Sequence, residues 1–484
     1  MRIRLKSGMR AAVLLILGLQ VGLFAARPRS AQPKERVAPA ADARLRDSAR
    51  QPLKNGWIQV RLEGTPGEIG YQHGYLLAPE IADTKRVISA SLERDTRRAW
   101  SFFKEASESI LWPRIESEYR EELQGITDGL NARGFHLDLW DVVALNAWLE
   151  LGPYYVPWLD RVQHNLETPA VPIPKSSSAF IATGSFTSNG EIVMAHNGWS
   201  GYAEGSRWNV VFDIRPEKGH RILMDGMPGL IHSADDFGVN SAGLLVTKTT
   251  ISHFAGFDPN GVAEFVRARK AMQYADSIDA FVRIITEGNN GGYANSWLIG
   301  DRKTGEIATL ELGLKNVTVQ RTTDGYFAGT NAPVNQNLLS EETTFPAFDP
   351  SISANVRRVR LDQLMSENKG KINAVLAKGF LADHVDAFTG KVDPNERTLC
   401  GHVDLSPRGL TGWTGPFAMA GTVNSKVATS ETAGELSFHA TLGHPCGGHF
   451  RAKAFLRKHP ESRWAQPFLR NIPSEPWTLF ESSR

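Results

Sequence analysis

A proline-rich break at residues 153–174 divides this chain into two stretches of different periodicity, and it ends directly on the serine triplet Ser176-Ser177-Ser178. Before the break, residues 66–150 read as mainly helical. Apolar side chains recur at three- and four-residue steps over 81–100 and 113–131, and 138–149 is a further short helix. After the break the period falls to two. Residues 178–183 and 192–196 are expected strands around Ser188-Asn189-Gly190, and 208–214 pairs with 221–225 around Glu217-Lys218-Gly219. A strand at 241–251, helices at 262–274 and 277–287, strands at 296–300, 306–312 and 317–321, and a helix at 355–366 follow. Strands, a helix pair and strands again predict an α+β chain whose sheets are covered by helices.

The start of the chain carries Arg2, Arg4, Lys6 and Arg10, then an apolar run over 11–26 interrupted by Gln20. A charged segment before a short apolar one is the pattern of an export signal. Ala25, Ala26 and Ala31 are small residues suited to cleavage, so residues 1–31 are expected to be the signal. The run is shorter than the roughly 20 apolar residues that span a bilayer, with a retained anchor as the rival reading. The protein is therefore expected in the periplasm or outside the cell. Residues 32–55 read as a linker, with ordered sequence from about Trp57.

Basic and acidic residues nearly balance, 54 Lys and Arg against 52 Asp and Glu, with no basic stripe. That excludes a nucleic-acid partner on electrostatic grounds. The Gly-x-Ser-x-Gly elbow, His-Glu-x-x-His and the Walker loop are all missing, and dinucleotide binding has no support. The two cysteines, Cys400 and Cys446, are expected as a disulfide or as two free thiols. A zinc set of Cys400, His402, Cys446 and His449 is the weaker rival, because its spacing fits no established zinc motif.

Several later segments carry a family likeness in their order and spacing. Val193-Met194-Ala195-His196-Asn197-Gly198-Trp199-Ser200 follows the triplet. Pro228-Gly229-Leu230-Ile231 precedes Asp235-Asp236-Phe237, and Lys248 precedes Thr249-Thr250-Ile251. Tyr293-Ala294-Asn295-Ser296-Trp297, Asp404-Leu405-Ser406-Pro407 and Ser425-Lys426-Val427 follow in turn. From about Gly64 onward the chain resembles the phospholipase B-like proteins, a branch of the N-terminal nucleophile (Ntn) hydrolases related to the penicillin acyltransferase type. The resemblance implies a four-layer αββα sandwich over 177–484. Residues 56–176 would be a helical N-terminal segment that stays bound after cleavage before residue 177. Two positions depart from the family. Ser177 stands where cysteine is usual, and Lys248 stands where an acidic residue is expected.

The chemistry of such a chain follows from one bond. An internal serine has no base of its own. Cutting the Ser176–Ser177 link frees an α-amine whose pKa near 8 leaves a useful neutral fraction. Nucleophile and general base then belong to one residue. The resemblance assigns Asn295 to the oxyanion. His196 is expected either to hold Ser177 or its amine, or to be a structural histidine. Thr250 is expected near the nucleophile or simply as a strand former. Asn197 and Trp199 would shape the pocket, with core packing the rival role for Trp199. Asp235 and Asp236 would order an arginine or the amine, or form a turn. His73, in a Gly-rich segment, reads as structural.

Two functions are thus in play. One is a self-processing hydrolase or acyltransferase that needs no cofactor or metal. Its substrates would be small acylated molecules (amides, β-lactam-like amides or lipid esters), with transient contact to a membrane surface. The other is a non-catalytic exported binding protein on the same scaffold.

Overall fold

Alternation of buried and partly exposed side chains builds the sheets, as in Ile58–Gly64, where Ile58, Val60 and Leu62 are buried between Gln59, Arg61 and Glu63. The computed structural model describes residues 42–164, 176–235, 237–411 and 414–483. The expected signal, residues 32–41 of the linker and residues 165–175 lie outside the described residues. In chain order the strands are β1 (Ala49–Arg50), β2 (Ile58–Gly64), β3 (Ser176–Gly184), β4 (Gly190–Gly201), β5 (Val210–Pro216), β6 (Ile222–Gly226), β7 (Gly238–Asn240), β8 (Leu244–Thr250) and β9 (Asn295–Asp301). Then come β10 (Glu306–Leu312), β11 (Val317–Thr322), β12 (Gly325–Gly329), β13 (Val385–Asp386), β14 (Lys391–Val392), β15 (Ala420–Thr429), β16 (Ser437–Leu442) and β17 (Thr478–Glu481).

Nine strands form one sheet in the order β1-β2-β5-β6-β7-β8-β9-β10-β11, and six form a second in the order β12-β3-β4-β15-β16-β17. The two sheets share a buried apolar cluster that takes Ile181 and Met194 from one and Val211, Leu245 and Leu298 from the other. The far face of the nine-stranded sheet packs on helices from the 66–164 and 264–286 regions. The far face of the six-stranded sheet packs on helices Ser353–Glu367 and Ala374–Leu381.

Close helix contact explains two sequence features. Helix Pro66–Leu76 crosses helix Ser117–Ala132 with backbones nearly touching. A Cβ added at Gly70 would lie 1.9 Å from the Glu122 carbonyl oxygen, and one at Gly129 would lie 2.2 Å from that of Tyr71. His73 lies in this helix, and its Nε2 accepts from the Gly229 amide at 2.9 Å, anchoring the Pro228-Gly229 turn.

Several expected elements shift. The segment 56–176 is not wholly helical, because β2 pairs in parallel with β5 over seven residues and belongs to the large sheet. Residues expected as linker are ordered from Asp42, and β1 pairs with β2. The expected helix at 81–100 ends at Thr96, because Arg97 turns left-handed (φ 59°), and a new helix starts at Trp100. The proline-rich break begins later than expected. Leu151–Tyr155 forms a π-helical turn, and Val156–His164 continues as α-helix with Pro157 in its first turn, where no amide donor is needed. The expected strand at 241–251 starts later, as β8, because residues 241–243 form the turn out of β7, with Gly243 at φ 94°.

Candidate active site

Ser177 stands near the start of β3, directly opposite Gly198 of β4. It shares a face with Ala179 and Ile181, so its side chain points into the space between the sheets. Ser178 shares the opposite face with Phe180 and Ala182, toward helix Ser353–Glu367. Ser177 is 7% exposed.

Two residues grip the Ser177 backbone. Its amide donates to Asn331 Oδ1 at 3.0 Å, and its carbonyl accepts from Arg357 Nη1 at 2.5 Å. Arg357 also donates to Ser178 Oγ (3.0 Å), the Thr330 carbonyl (3.0 Å) and Asn331 Oδ1 (3.1 Å). Its guanidinium carbon lies 4.5 Å from the centre of the Trp199 ring, a cation–π contact. Burial pushes the guanidinium down to about 9, which still leaves a cation at neutral pH. Asn331 holds a left-handed conformation (φ 73°) and donates its Nδ2 to the Thr250 carbonyl at 2.8 Å. One asparagine thus ties the start of β3 to the end of β8.

Across from Ser177 the strand leaves room for charge. A Cβ on Gly198 would lie 2.5 Å from Asp235 Oδ2 and 2.6 Å from Asn424 Oδ1. Lys426 of β15, fully buried, donates to Asp235 (2.9 Å), Asp225 (2.9 Å) and Asn424 Oδ1 (2.7 Å). Ser233 Oγ adds a 2.6 Å bond to Asp225. Burial works against the Lys426 charge, but the two carboxylates outweigh it and hold the ammonium above its ordinary range. Burial also raises Asp225, with Lys426 opposing it. His196, 1% exposed, pairs in register with both Ala179 and Lys426 and lies 6.4 Å from the Phe237 ring, on the same inter-sheet side.

The remaining expected residues are spread around this centre. The Thr250 hydroxyl donates to Tyr293 Oη at 3.0 Å, and Asn295 Nδ2 donates to the Tyr293 carbonyl at 2.8 Å. Both side chains share the helix-covered face of the large sheet with Val246 and Trp297, so Thr250 reaches Ser177 through its carbonyl and Asn331. Asn295 Oδ1 is buried with no hydrogen-bond partner among the described residues. Asn197 is fully engaged in holding structure. Its Nδ2 donates to the Leu381 and Leu399 carbonyls, and its Oδ1 accepts from Ser425. Trp199 lies under Arg357. Lys248 is buried with its ammonium 3.6 Å from the Tyr293 ring centre. Asp236 lies outside the described residues.

Sequence reasoning assigned no role to Asn331, Arg357, Asn424 or Lys426. For Arg357 a signal existed: it falls on the stripe of Ala354, Leu361 and Leu364, where an arginine on an apolar face needs buried acceptors.

Ser177 is thus held at both its backbone nitrogen and its carbonyl, beside buried charge between the two sheets. Residues 103–312, which carry Ser177, match the profile of the phospholipase B family. Among individual proteins, the chain is similar to an uncharacterized protein of Archaeoglobus fulgidus, at 26% identity over 55% of this chain and 45% of the relative. It is also similar to human phospholipase B-like 1, at 24% identity over 52% and 49%, and to phospholipase B of Crotalus adamanteus, at 25% over 52% and 49%. The chain therefore spans about half the length of the curated relatives it matches.

Proposed function

We propose that this chain is an exported, self-processing hydrolase of the N-terminal nucleophile type, acting on acyl ester or amide bonds through an acyl-enzyme on Ser177. The observation that carries the reading is the double grip on Ser177. The nitrogen that cleavage would free already has a fixed acceptor in Asn331 Oδ1. The stacking of two sheets between helical layers supports assignment to an αββα sandwich. Similarity to phospholipase B-like proteins supports a lipid acyl ester as the substrate class.

In maturation, Ser177 Oγ attacks the Ser176 carbonyl carbon. The C–N bond breaks, an ester forms on Oγ and the nitrogen leaves as an amine. Water then hydrolyses the ester. In turnover, the free amine takes the Oγ proton while Oγ attacks the substrate carbonyl. The amine returns the proton to the leaving alcohol or amine, and water repeats the sequence to release the acid. Asn331 Oδ1 keeps one N–H directed at itself, which orients the lone pair. The Arg357 cation near the same nitrogen lowers the amine's proton affinity and keeps more of it neutral. The resemblance makes Asn295 the proposed oxyanion donor, although its amide here bonds the Tyr293 carbonyl on the helix-covered face of the large sheet.

Denaturing electrophoresis with N-terminal sequencing tests the reading. The wild-type chain is expected as two fragments, the larger beginning at Ser177. Ser177→Ala should stay intact and lose esterase activity by at least about a hundredfold, whereas Ser177→Cys should still cleave. A wild-type chain that stays whole after long incubation would favour the non-catalytic scaffold.

A further inference from the structure

Behind Trp199, on the helix side of the six-stranded sheet, four side chains that the proposed reaction does not use converge on one point. His384, Cys400, His402 and Cys446 each bring one ligand atom into a group whose members all lie within 4.8 Å of one another. His384 Nε2 is 3.2 Å from His402 Nε2. Cys400 Sγ and Cys446 Sγ are 3.5 Å and 3.6 Å from that same nitrogen. Both cysteines are free thiols.

The spacing can be compared with a metal's requirements. Zinc bonds of about 2.3 Å to sulfur and about 2.05 Å to nitrogen, at tetrahedral angles, place two nitrogens about 3.3 Å apart and nitrogen and sulfur about 3.5 Å apart. The three distances above agree with those edges to within about 0.2 Å. We propose that His384, Cys400, His402 and Cys446 form a structural zinc site.

The surroundings fit a thiolate–imidazole site. The Gly448 amide donates to Cys446 Sγ at 3.4 Å, in a turn where Gly447 is left-handed (φ 90°), so a backbone donor faces the sulfur. With Nε2 committed to the cluster, His402 turns its Nδ1 toward Asp404 Oδ1 at 4.0 Å, placing a carboxylate behind a ligating imidazole. Asp404 is held in turn by the Tyr202 hydroxyl at 2.8 Å. Four protein ligands complete a tetrahedron, which is the composition of a structural rather than a catalytic zinc. Binding releases the two thiol protons to solvent, and the two thiolates balance the ion's charge.

The fourth ligand differs from the set considered from sequence. His449 Nδ1 accepts from the Ser474 amide at 3.1 Å, outside the cluster, and His384 takes its place. His384 lies eighteen residues before His402, in a segment that carried no recognised spacing. The site would tie the 384–402 loop to the 444–449 turn. Between its two ligands, Gly401 is pressed on Trp199, where an added Cβ would lie 2.2 Å from the ring. Trp199 in turn lies under Arg357, so the metal would brace the support of the nucleophile strand from behind.

Elemental analysis of the purified full-length protein tests this, run in parallel on Ser177→Ala so that metal content is scored independently of processing. One zinc per chain is expected in both. Cobalt exchanged into the site should give intense visible d–d absorption with thiolate-to-metal charge transfer in the near ultraviolet. Two thiols per chain should become titratable after chelation. His384→Ala and Cys446→Ser should each lower metal retention under chelator at least tenfold, whereas His449→Ala should leave it unchanged. A Cys400–Cys446 disulfide in the exported protein overturns the proposal. So does a reduced chain that binds neither zinc nor cobalt, or retention that depends on His449 and not on His384.

Discussion

The two faces of the β3–β4 hairpin at the Ser177–Gly198 step are built differently, although one backbone separates them. On the helix side, Arg357 donates to carbonyl, amide and hydroxyl oxygens and stacks on Trp199, while Asn197 is spent on two carbonyls and Ser425. On the inter-sheet side, Lys426 faces two carboxylates, and only the missing side chain of Gly198 lets Asp235 approach Ser177's neighbour. One face fixes position by neutral acceptors around a cation. The other concentrates charge where a proton is to move. A buried cation costs least when its partners are charged and fixed, and removing it costs most in the same place.

That contrast orders the expected effects. Lys426→Met leaves Asp225 and Asp235 facing each other in a buried site, and urea unfolding should show a loss of about 3–5 kcal/mol. Arg357→Lys keeps the charge but loses the planar fork, leaving carbonyls short of donors. It should cost about 2–3 kcal/mol by the same measurement and slow processing at Ser177. If Arg357→Lys proved more destabilising than Lys426→Met, the ranking of the two faces would be reversed. Gly198→Ala forces a methyl against Asp235 and Asn424, for about 1–3 kcal/mol, and should impair cleavage before Ser177 more than it impairs folding. A further effect, confined to acid pH, lies away from both faces. Burial holds the His73 imidazole down at about 3, against about 6.5 in the unfolded chain. The unfolded state therefore binds the extra proton between those values. The contribution is complete above pH 6.5 and is lost as pH falls toward 3, at no more than about 1.4 kcal/mol per pH unit. His73→Gln, measured by unfolding at a series of pH values, should flatten that part of the acid limb.

Local pattern made some of this legible. The hairpin carrying Ser177 and His196 announced itself by alternation around Ser188-Asn189-Gly190, and helix Ser353–Glu367 by its period. β2 also alternates, Ile58, Val60 and Leu62 against Gln59, Arg61 and Glu63, but it precedes a long helical run that dominated the reading. β15 offered no such cue. Nine of its ten residues are buried, it is rich in small and polar side chains, and its partners are β4 and β16. A strand covered on both faces need not alternate. The Lys426 network could not be read at all, because its carboxylates lie 201 and 191 residues away and only the stacking of the two sheets brings them together. Asn331 is similar: its left-handed backbone sits in an irregular segment with no period to mark it.

The parallel ladder between β2 and β5 has a consequence for any molecule cut ahead of Ser177. One strand of a continuous sheet would then belong to a different polypeptide from its neighbour, and seven residues of backbone pairing, with the helices behind them, would hold the halves together. Unfolding would become a dissociation. Its midpoint would rise with protein concentration, and the separated pieces would need to find each other again before the nine-stranded sheet could be restored.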